Sequence, residues 1–383
     1  MNSTETEPAE SRSRTIIFAG GGTGGHLYPA LAIAEHLRET EPSVRCLFLC
    51  SPRPIDSRIL SEESAEFVVI PAQPLGMHPM RLLRFAIGWR RAVRSAREVL
   101  SREAKRCVVQ VVAMGGFVAG PVVHAARAER LPVILVNLDA VPGKANRWIA
   151  RRSERVLDAA SSGAWPKALA IRPIVRRSAI ASMSKEECRV ALGLAPEMPT
   201  LFITGGSQGA RTLNDLMALL ARDHAPIFQG WQVYHQTGPD ADEAMQRSYD
   251  EAGIPARAVA FCRTMNLAWG AADLAIARCG AGAVAEVWAN SVPTIFLPYP
   301  FHRDQHQRRN AQPLANAGGA LIFRDWVDAR RTASDLQADL SRLLSDVNAR
   351  TEMHASLQRL GPADGASEVA RILLGKSTQS RGK

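Results

Sequence analysis

Short runs of β-branched and aliphatic residues recur along the chain, each followed by a longer stretch whose apolar positions fall at helical spacing. In the first half the runs are TIIFA (15–19), VRCLFLC (44–50), EFVVI (66–70), CVVQVV (107–112) and PVILV (132–136). Between them lie amphipathic stretches such as LYPALAIAEHLRE (27–39) and GFVAGPVVHAARAE (116–129). Alternation of apolar strands with helices predicts parallel α/β sheets. A second series follows IRPIVRRS (171–178): TLFIT (200–204), WQVYHQ (231–236), AVAFC (258–262), DLAIA (273–277) and PTIFL (293–297). The pattern predicts two doubly wound domains, 14–171 and 172–355. Residues 1–13 read as a disordered leader. Residues 356–383 hold a last helix, ASEVARILLG (366–375), expected to pack back on the first domain.

At 383 residues the chain exceeds one ordinary core, which agrees with two domains. Its 46% apolar and 22% charged residues are those of a soluble globular protein. No apolar run approaches the roughly 18–20 residues of a membrane span. The polar start MNSTETEPAESRSR is no secretory signal. Six cysteines (46, 50, 107, 188, 262, 279) form no Cys-x-x-Cys pair and suit buried thiols in a reducing cytoplasm. A net charge of +10 points to an anionic partner, or else to a merely soluble basic surface. No RNA- or DNA-binding signature accompanies it, so nucleic acid ranks behind a phosphorylated metabolite and anionic lipid.

Much of that charge sits in residues 75–106, with nine Arg/Lys against two Glu. Leu82, Leu83, Phe85, Ile87 and Trp89 lie among Arg81, Arg84, Arg90 and Arg91. A basic, aromatic-tipped helix of this kind suits an anionic membrane interface. An ordinary surface helix with its apolar face on the core fits the pattern as well.

Ligands of open α/β sheets bind beyond the carboxyl ends of the strands. Glycine-rich loops stand at such ends here: GGGTGG (20–25), MGG (114–116), GGSQGA (205–210) and, after DLAIA, RCGAGAVAE (278–286). Glycine permits positive φ and close approach, and a following helix offers free N–H groups to an anion. One such loop is weak evidence, but four across two domains predict phosphate-bearing ligands in both. A dehydrogenase would want an acid after the second strand, where the chain has Cys50-Ser51-Pro52-Arg53. Arg53 would favour NADP, yet that reading leaves the second domain's loops without a task.

The chain resembles the MurG family of peptidoglycan glycosyltransferases. The resemblance runs from residue 15 to about 320 through GGTGGHLYPALAIAE (21–35), MGGFVAGP (114–121), AVPGKANR (140–147), GGSQGARTLND (205–215), RCGAGAVAEV (278–287) and DQHQRRNA (304–311). It implies the GT-B type: two Rossmann-like domains facing across a cleft. It also implies transfer of N-acetylglucosamine (GlcNAc) from UDP-GlcNAc to lipid I, the undecaprenyl-pyrophosphoryl-MurNAc-pentapeptide, giving lipid II for cell-wall synthesis. The second domain would hold the donor. Ser207 and Gln208 would contact the diphosphate, and the N–H groups of Ala281 and Gly282 would cradle it. Glu286 would take the ribose hydroxyls, Phe261 and Cys262 the uracil, and Gln307 with His306 the sugar. Arg176 loosely matches a donor-site arginine, and Thr23, Gly24, Gly25 and Asp139 complete the implied donor contacts. The acceptor pyrophosphate would lie on Gly21, Gly22, Thr23, Gly115 and Gly116. His26 would be the general base for the MurNAc C4 hydroxyl, because a helix N-terminus disfavours imidazolium; a helix-capping histidine is the plainer alternative. The membrane contacts would be Leu82, Leu83, Phe85 and Trp89, placing the protein peripherally on the cytoplasmic side of the cell membrane.

No cofactor or metal is expected. Asp240-Ala241-Asp242 mimics a metal-binding Asp-x-Asp, but it follows QTGP and opens a helix, where acids complement the dipole. One departure bears on the chemistry. Where the family typically has His-Glu-Gln-Asn, this chain has Val136-Asn137-Leu138-Asp139, which makes Asp139 a second candidate base or an orienting group for His26. Two alternatives therefore stand beside the main reading: a relative using another lipid acceptor, and a catalytically weak scaffold that binds lipid I or UDP-GlcNAc among other cell-wall synthesis proteins.

Overall fold

The computed structural model describes residues 13–22, 24–74, 79–206, 209–301 and 304–376, the side chains of 79–84 excepted. Thr23, Ser207 and Gln208 lie outside the described residues, as do the side chains of Leu82 and Leu83. Contacts divide the chain into two compact units. The first comprises the chain up to Asn137, with Gly143–Leu157 and Lys167–Leu169; the second comprises Leu138–Pro142, Asp158–Pro166 and the chain from Ala170 onward.

The first sheet has seven strands: β1 (Arg14–Ala19), β2 (Arg45–Cys50), β3 (Glu66–Val69), β4 (Val108–Ala113), β5 (Val133–Asn137), β6 (Arg155–Asp158) and β7 (Leu169–Ala170), in the order β3-β2-β1-β4-β5-β6-β7. The second has six: β8 (Thr200–Thr204), β9 (Gln232–Gln236), β10 (Ala256–Val259), β11 (Leu274–Ala277), β12 (Thr294–Phe296) and β13 (Ala320–Ile322), in the order β10-β9-β8-β11-β12-β13. β1 pairs in parallel with both β2 and β4, and β8 with both β9 and β11. Strand order therefore reverses between β1 and β4 and again between β8 and β11. These are the two places where a doubly wound sheet opens a ligand crevice.

Most of the strands are largely apolar, as in parallel sheets covered by helices on both faces. Ile16, Ile17, Phe18, Val111 and Leu135 are buried in the first sheet. In the second, β8 sends Leu201 and Ile203 to one core and Phe202 to the other, where it meets the Trp269 ring edge-on at 4.8 Å. Each fully buried side chain of this size contributes about 1.5–3 kcal/mol of transfer free energy. The chain leaves the sheet after Val259, earlier than the AVAFC run predicts, so Phe261 and Cys262 lie beyond β10.

The closing helix, Gly365–Leu373, groups with the second unit, where the sequence pattern predicts packing on the first domain. Its bonds explain this. Arg172 N donates to Glu368 Oε2 at 2.8 Å, and Gly365 N donates to Pro173 O at 3.1 Å. No helix among the described residues is long and apolar enough to cross a membrane.

Candidate active site

At the first switch point Ala19 pairs with Ala113, so the glycine loops after β1 and β4 leave the sheet side by side. Gly115 and Gly116 have φ of 101° and 78°. A Cβ at Gly116 would stand 2.7 Å from Gly21 O and 3.4 Å from His26 Nδ1, and one at Gly115 3.2 Å from His26 Nε2. The bare backbone is what lets the second loop close onto the imidazole. His26 is half-buried in the first turn of the helix Gly24–Thr40, which Gly24 and Gly25 open. The missing Cβ of Gly115 also faces Asn146 Oδ1 at 2.9 Å. Asn146, on the helix Lys144–Ala150, donates through Nδ2 to Asn137 Oδ1 at 3.1 Å. Asn137 is fully buried at the end of β5. Position 137, where the sequence shows a lost carboxylate, thus holds an amide that orients Asn146 beside His26.

The first loop differs from the expected anion cradle in one respect. Gly22 N donates inward to Asp56 Oδ2 at 2.7 Å. Asp56 is fully buried and also takes Ser51 N at 3.0 Å and Ser51 Oγ at 2.6 Å. The carboxylate fixes the loop but takes that N–H away from a ligand. On the outer side Arg53 Nη1 donates to Gly22 O at 2.6 Å, and its guanidinium lies 5.4 Å from the Phe117 ring centroid.

At the second switch point Thr204 pairs with Ala277, and both following loops open helices that lack a side-chain N-cap. Gly206 and Gly209 have φ of 83° and 70°. A Cβ at Gly209 would strike Thr237 O at 2.2 Å. Gln236 Nε2 holds Gly206 O at 2.9 Å from behind. Gly280 N-caps the helix Ala281–Asn290, and a Cβ at Gly280 or Gly282 would meet nothing within 4 Å. The start of that helix is open, as an anion requires.

Glu286, in the same helix, accepts from Trp269 Nε1 at 2.8 Å. Burial pushes its carboxyl up to about 7, against the pull of the indole bond. The Cys262 side chain is buried and accepts from Tyr234 OH at 3.7 Å, so only its backbone is left to meet a ligand. His306 opens the helix His306–Asn316, with its N and Nδ1 on Asp304 Oδ1 at 3.3 and 2.8 Å. Gln307 Oε1 accepts from Tyr299 N at 2.8 Å, which fixes the orientation of the amide. Arg176 is half-buried ahead of the short turn Arg177–Ala179. Asp242 opens the helix Asp242–Glu251, and Asp240 precedes it with φ of 62°.

Asp139 has a partner that sequence reasoning missed. Asn310 Nδ2 donates to Asp139 Oδ1 at 3.0 Å, and Ala140 N donates to Asn310 Oδ1 at 2.8 Å. The buried Asn310 thus grips the Leu138–Pro142 segment at two points. Its signal was in plain view, at the seventh position of DQHQRRNA. Arg278 was also missed. Buried, it donates to Leu297 O at 2.7 Å, to Asp325 Oδ2 at 2.7 Å and to Thr212 Oγ1, tying the ends of β11, β12 and β13 to the helix Arg211–His224.

Of the expected membrane contacts, Trp89 faces inward. Its ring meets Phe85, His124 and Trp148 at 5.8–6.1 Å and covers Gly120, whose Cβ would lie 3.2 Å away. The bare Gly120 makes room for the indole between the helices Pro79–Ala104 and Gly116–Ala128. Phe85 is half-buried beside it, while Ile87 and Arg90, Arg91 and Arg94 are exposed.

Both parts of the chain match known families. Residues 16–158 match the glycosyltransferase family 28 N-terminal domain and residues 200–369 the family 28 C-terminal domain. The chain is 36% identical to the UDP-N-acetylglucosamine–N-acetylmuramyl-(pentapeptide) pyrophosphoryl-undecaprenol N-acetylglucosamine transferase of Nocardioides sp., over 94% of this chain and 97% of that protein. Its identity to the Mycobacterium bovis protein of the same name is 35%, over 96% and 90%. The crystal structure of Acinetobacter baumannii MurG superposes with a TM-score of 0.71 at 26% identity, covering 94% of this chain and 99% of that one. The calicheamicin glycosyltransferase CalG4, at 15% identity and a TM-score of 0.61 over 96% and 100%, shares the fold. With both domain models matched and relatives above 30% identity along nearly its whole length, the chain belongs to glycosyltransferase family 28, among the MurG enzymes with two Rossmann-like domains of the GT-B fold.

Proposed function

We propose that the chain is an inverting transferase that moves GlcNAc from UDP-GlcNAc to lipid I, releasing UDP and lipid II for peptidoglycan synthesis. The observation that carries the reading is the second switch point, where the open start of the helix Ala281–Asn290 stands one turn before the indole-held Glu286. A diphosphate at that helix start would be met by N–H groups and the helix dipole, and the ribose hydroxyls would donate to Glu286. The same N–H groups would take the charge that develops on the leaving UDP. The acceptor pyrophosphate goes to the loops after β1 and β4. His26 removes the proton from the MurNAc C4 hydroxyl as that oxygen attacks the anomeric carbon from the face opposite UDP. The protein works as a peripheral protein on the cytoplasmic face of the membrane, drawn there by the basic helix Pro79–Ala104.

Release of UDP from UDP-GlcNAc in the presence of a lipid I analogue tests the reaction. His26→Ala should lower turnover by roughly 10²–10⁴-fold while sparing donor affinity. Near-parent turnover in that variant would move the base elsewhere. A parent protein that binds UDP-GlcNAc but turns over no acceptor of a panel would favour the scaffold alternative.

A further inference from the structure

Arg53 has no part in the machinery described so far, yet it stands at the first glycine loop. It follows β2, the strand next to β1, and its Nη1 donates to Gly22 O at 2.6 Å. Phe117, which follows the second glycine loop, lies under the guanidinium at 5.4 Å. The contact with a ring face and a carbonyl limits the freedom of a long side chain that is otherwise exposed. A guanidinium carries five N–H donors, and the Gly22 carbonyl occupies one of them.

The loop itself needs a cation. Asp56 is a buried carboxylate directly behind it, and Gly22 N is spent on that carboxylate. A carboxylate so placed opposes any anion on the loop, and one of the loop's own N–H donors is gone. We propose that Arg53 is the pyrophosphate-binding cation of the first glycine loop, pairing through its planar fork with the phosphate oxygens of the prenyl pyrophosphate acceptor. The proposal deepens the acceptor assignment above and rests on it for the identity of the ligand. The chemistry it requires is a phosphate-matching fork already fixed beside the loop, and Arg53 supplies that among the described residues of the first unit.

The test is binding of geranyl pyrophosphate, a soluble prenyl pyrophosphate, to the full chain saturated with UDP so that the nucleotide site is filled. Calorimetry should show binding that weakens as salt is added, because the contact is between charges. Arg53→Gln should weaken it at least tenfold and flatten the salt dependence. Arg53→Lys keeps the charge without the fork and should fall between the two. A merely structural role, holding Gly22 O, would leave the salt dependence of residual binding unchanged. In turnover, Arg53→Gln should raise KM for the lipid acceptor at least tenfold while leaving KM for UDP-GlcNAc as it was. Geranyl pyrophosphate binding that is equal in parent and Arg53→Gln, or absent from the UDP-saturated parent, would overturn the proposal. Binding that depends on Arg53 in a protein without turnover would keep it and remove the transferase reading instead.

Discussion

The carboxyl of Glu286 is pushed up to about 7 by burial, and the ligand proposed for it is a pair of hydroxyl donors. A carboxylate accepts from hydroxyls more strongly than a carboxylic acid does, so donor binding should favour the ionised form and draw its proton off. The sign for the free protein is the reverse. Its folded value lies above the unfolded 4.5, so the associated stability is present below 4.5 and is lost as pH rises through about 7. UDP-GlcNAc affinity should therefore climb as pH rises through about 7 and then level, with proton release on binding in that window. Glu286→Gln should weaken binding by about 1–3 kcal/mol at the plateau and remove the pH dependence. Calorimetry giving the same affinity on both sides of that pH would end the ribose assignment. Asp139 yields a second test at this scale. Its Oδ1 accepts from Asn310 Nδ2 at 3.0 Å, a role an asparagine oxygen can also fill, more weakly. Asp139→Asn should hold turnover within about fivefold, since one neutral hydrogen bond replaces one charge-assisted bond at a cost near 0.5–1 kcal/mol. A loss of a hundredfold would mean that the charge itself takes part, as base or as partner of His26.

The loops that would hold the donor are fastened behind the ligand face, by Arg278 on Asp325, Thr212 and the carbonyl of Leu297. Asp325→Ala would leave a buried guanidinium without its carboxylate, which costs about 3–5 kcal/mol. Denaturant melts should show that loss, and UDP-GlcNAc affinity should fall with it; a variant as stable as the parent would mean the pair is not needed. None of this was legible in the sequence, where Arg278 reads as one more basic residue beside a glycine loop. What was legible is the set of elements whose apolar runs are long: β1, β2, β4, β5, β8, β9 and β11 lie within a residue or so of the runs that predict them. The two residues of β7 and three of β13 carry too few apolar positions to set a period, and β6, Arg155–Asp158, begins and ends on charges. AVAFC predicts a strand to 262, yet β10 ends at Val259; beyond it Phe261 is exposed and only Cys262 is buried, so the apolar run marks neither a continued strand nor uniform burial. The glycine loops were legible because backbone approach excludes every other residue, as at Gly116 against Gly21 O. Side-chain partners such as Asp56, 34 residues from Gly22, leave no such mark.

Over the whole chain the charge is +10, and nine of the cations fall within residues 75–106. The structure divides that segment between two tasks. Trp89 is committed to the interior of the first unit among Phe85, His124 and Trp148, so it helps to hold the helix Pro79–Ala104 in place. Arg97 is paired with Glu129. Arg90, Arg91 and Arg94 are exposed on the same helix, with Ile87 48% exposed beside them. Attraction to a membrane would therefore be mostly electrostatic, with little apolar insertion from the described residues. Each arginine near an anionic surface contributes about 1 kcal/mol, so reversing Arg90, Arg91 and Arg94 to glutamate should weaken binding to anionic vesicles by roughly a hundredfold or more at low salt. Raising salt toward 1 M, where the screening length falls to about 3 Å, should release the parent protein by itself. Trp89→Ser should act differently, lowering the melting temperature of the protein instead of its lipid preference, because a half-buried ring packed between two helices is lost. Co-sedimentation with vesicles of graded anionic content measures the first effect, and thermal unfolding the second. Equal binding to neutral and anionic vesicles would mean that the charge of this helix serves another partner.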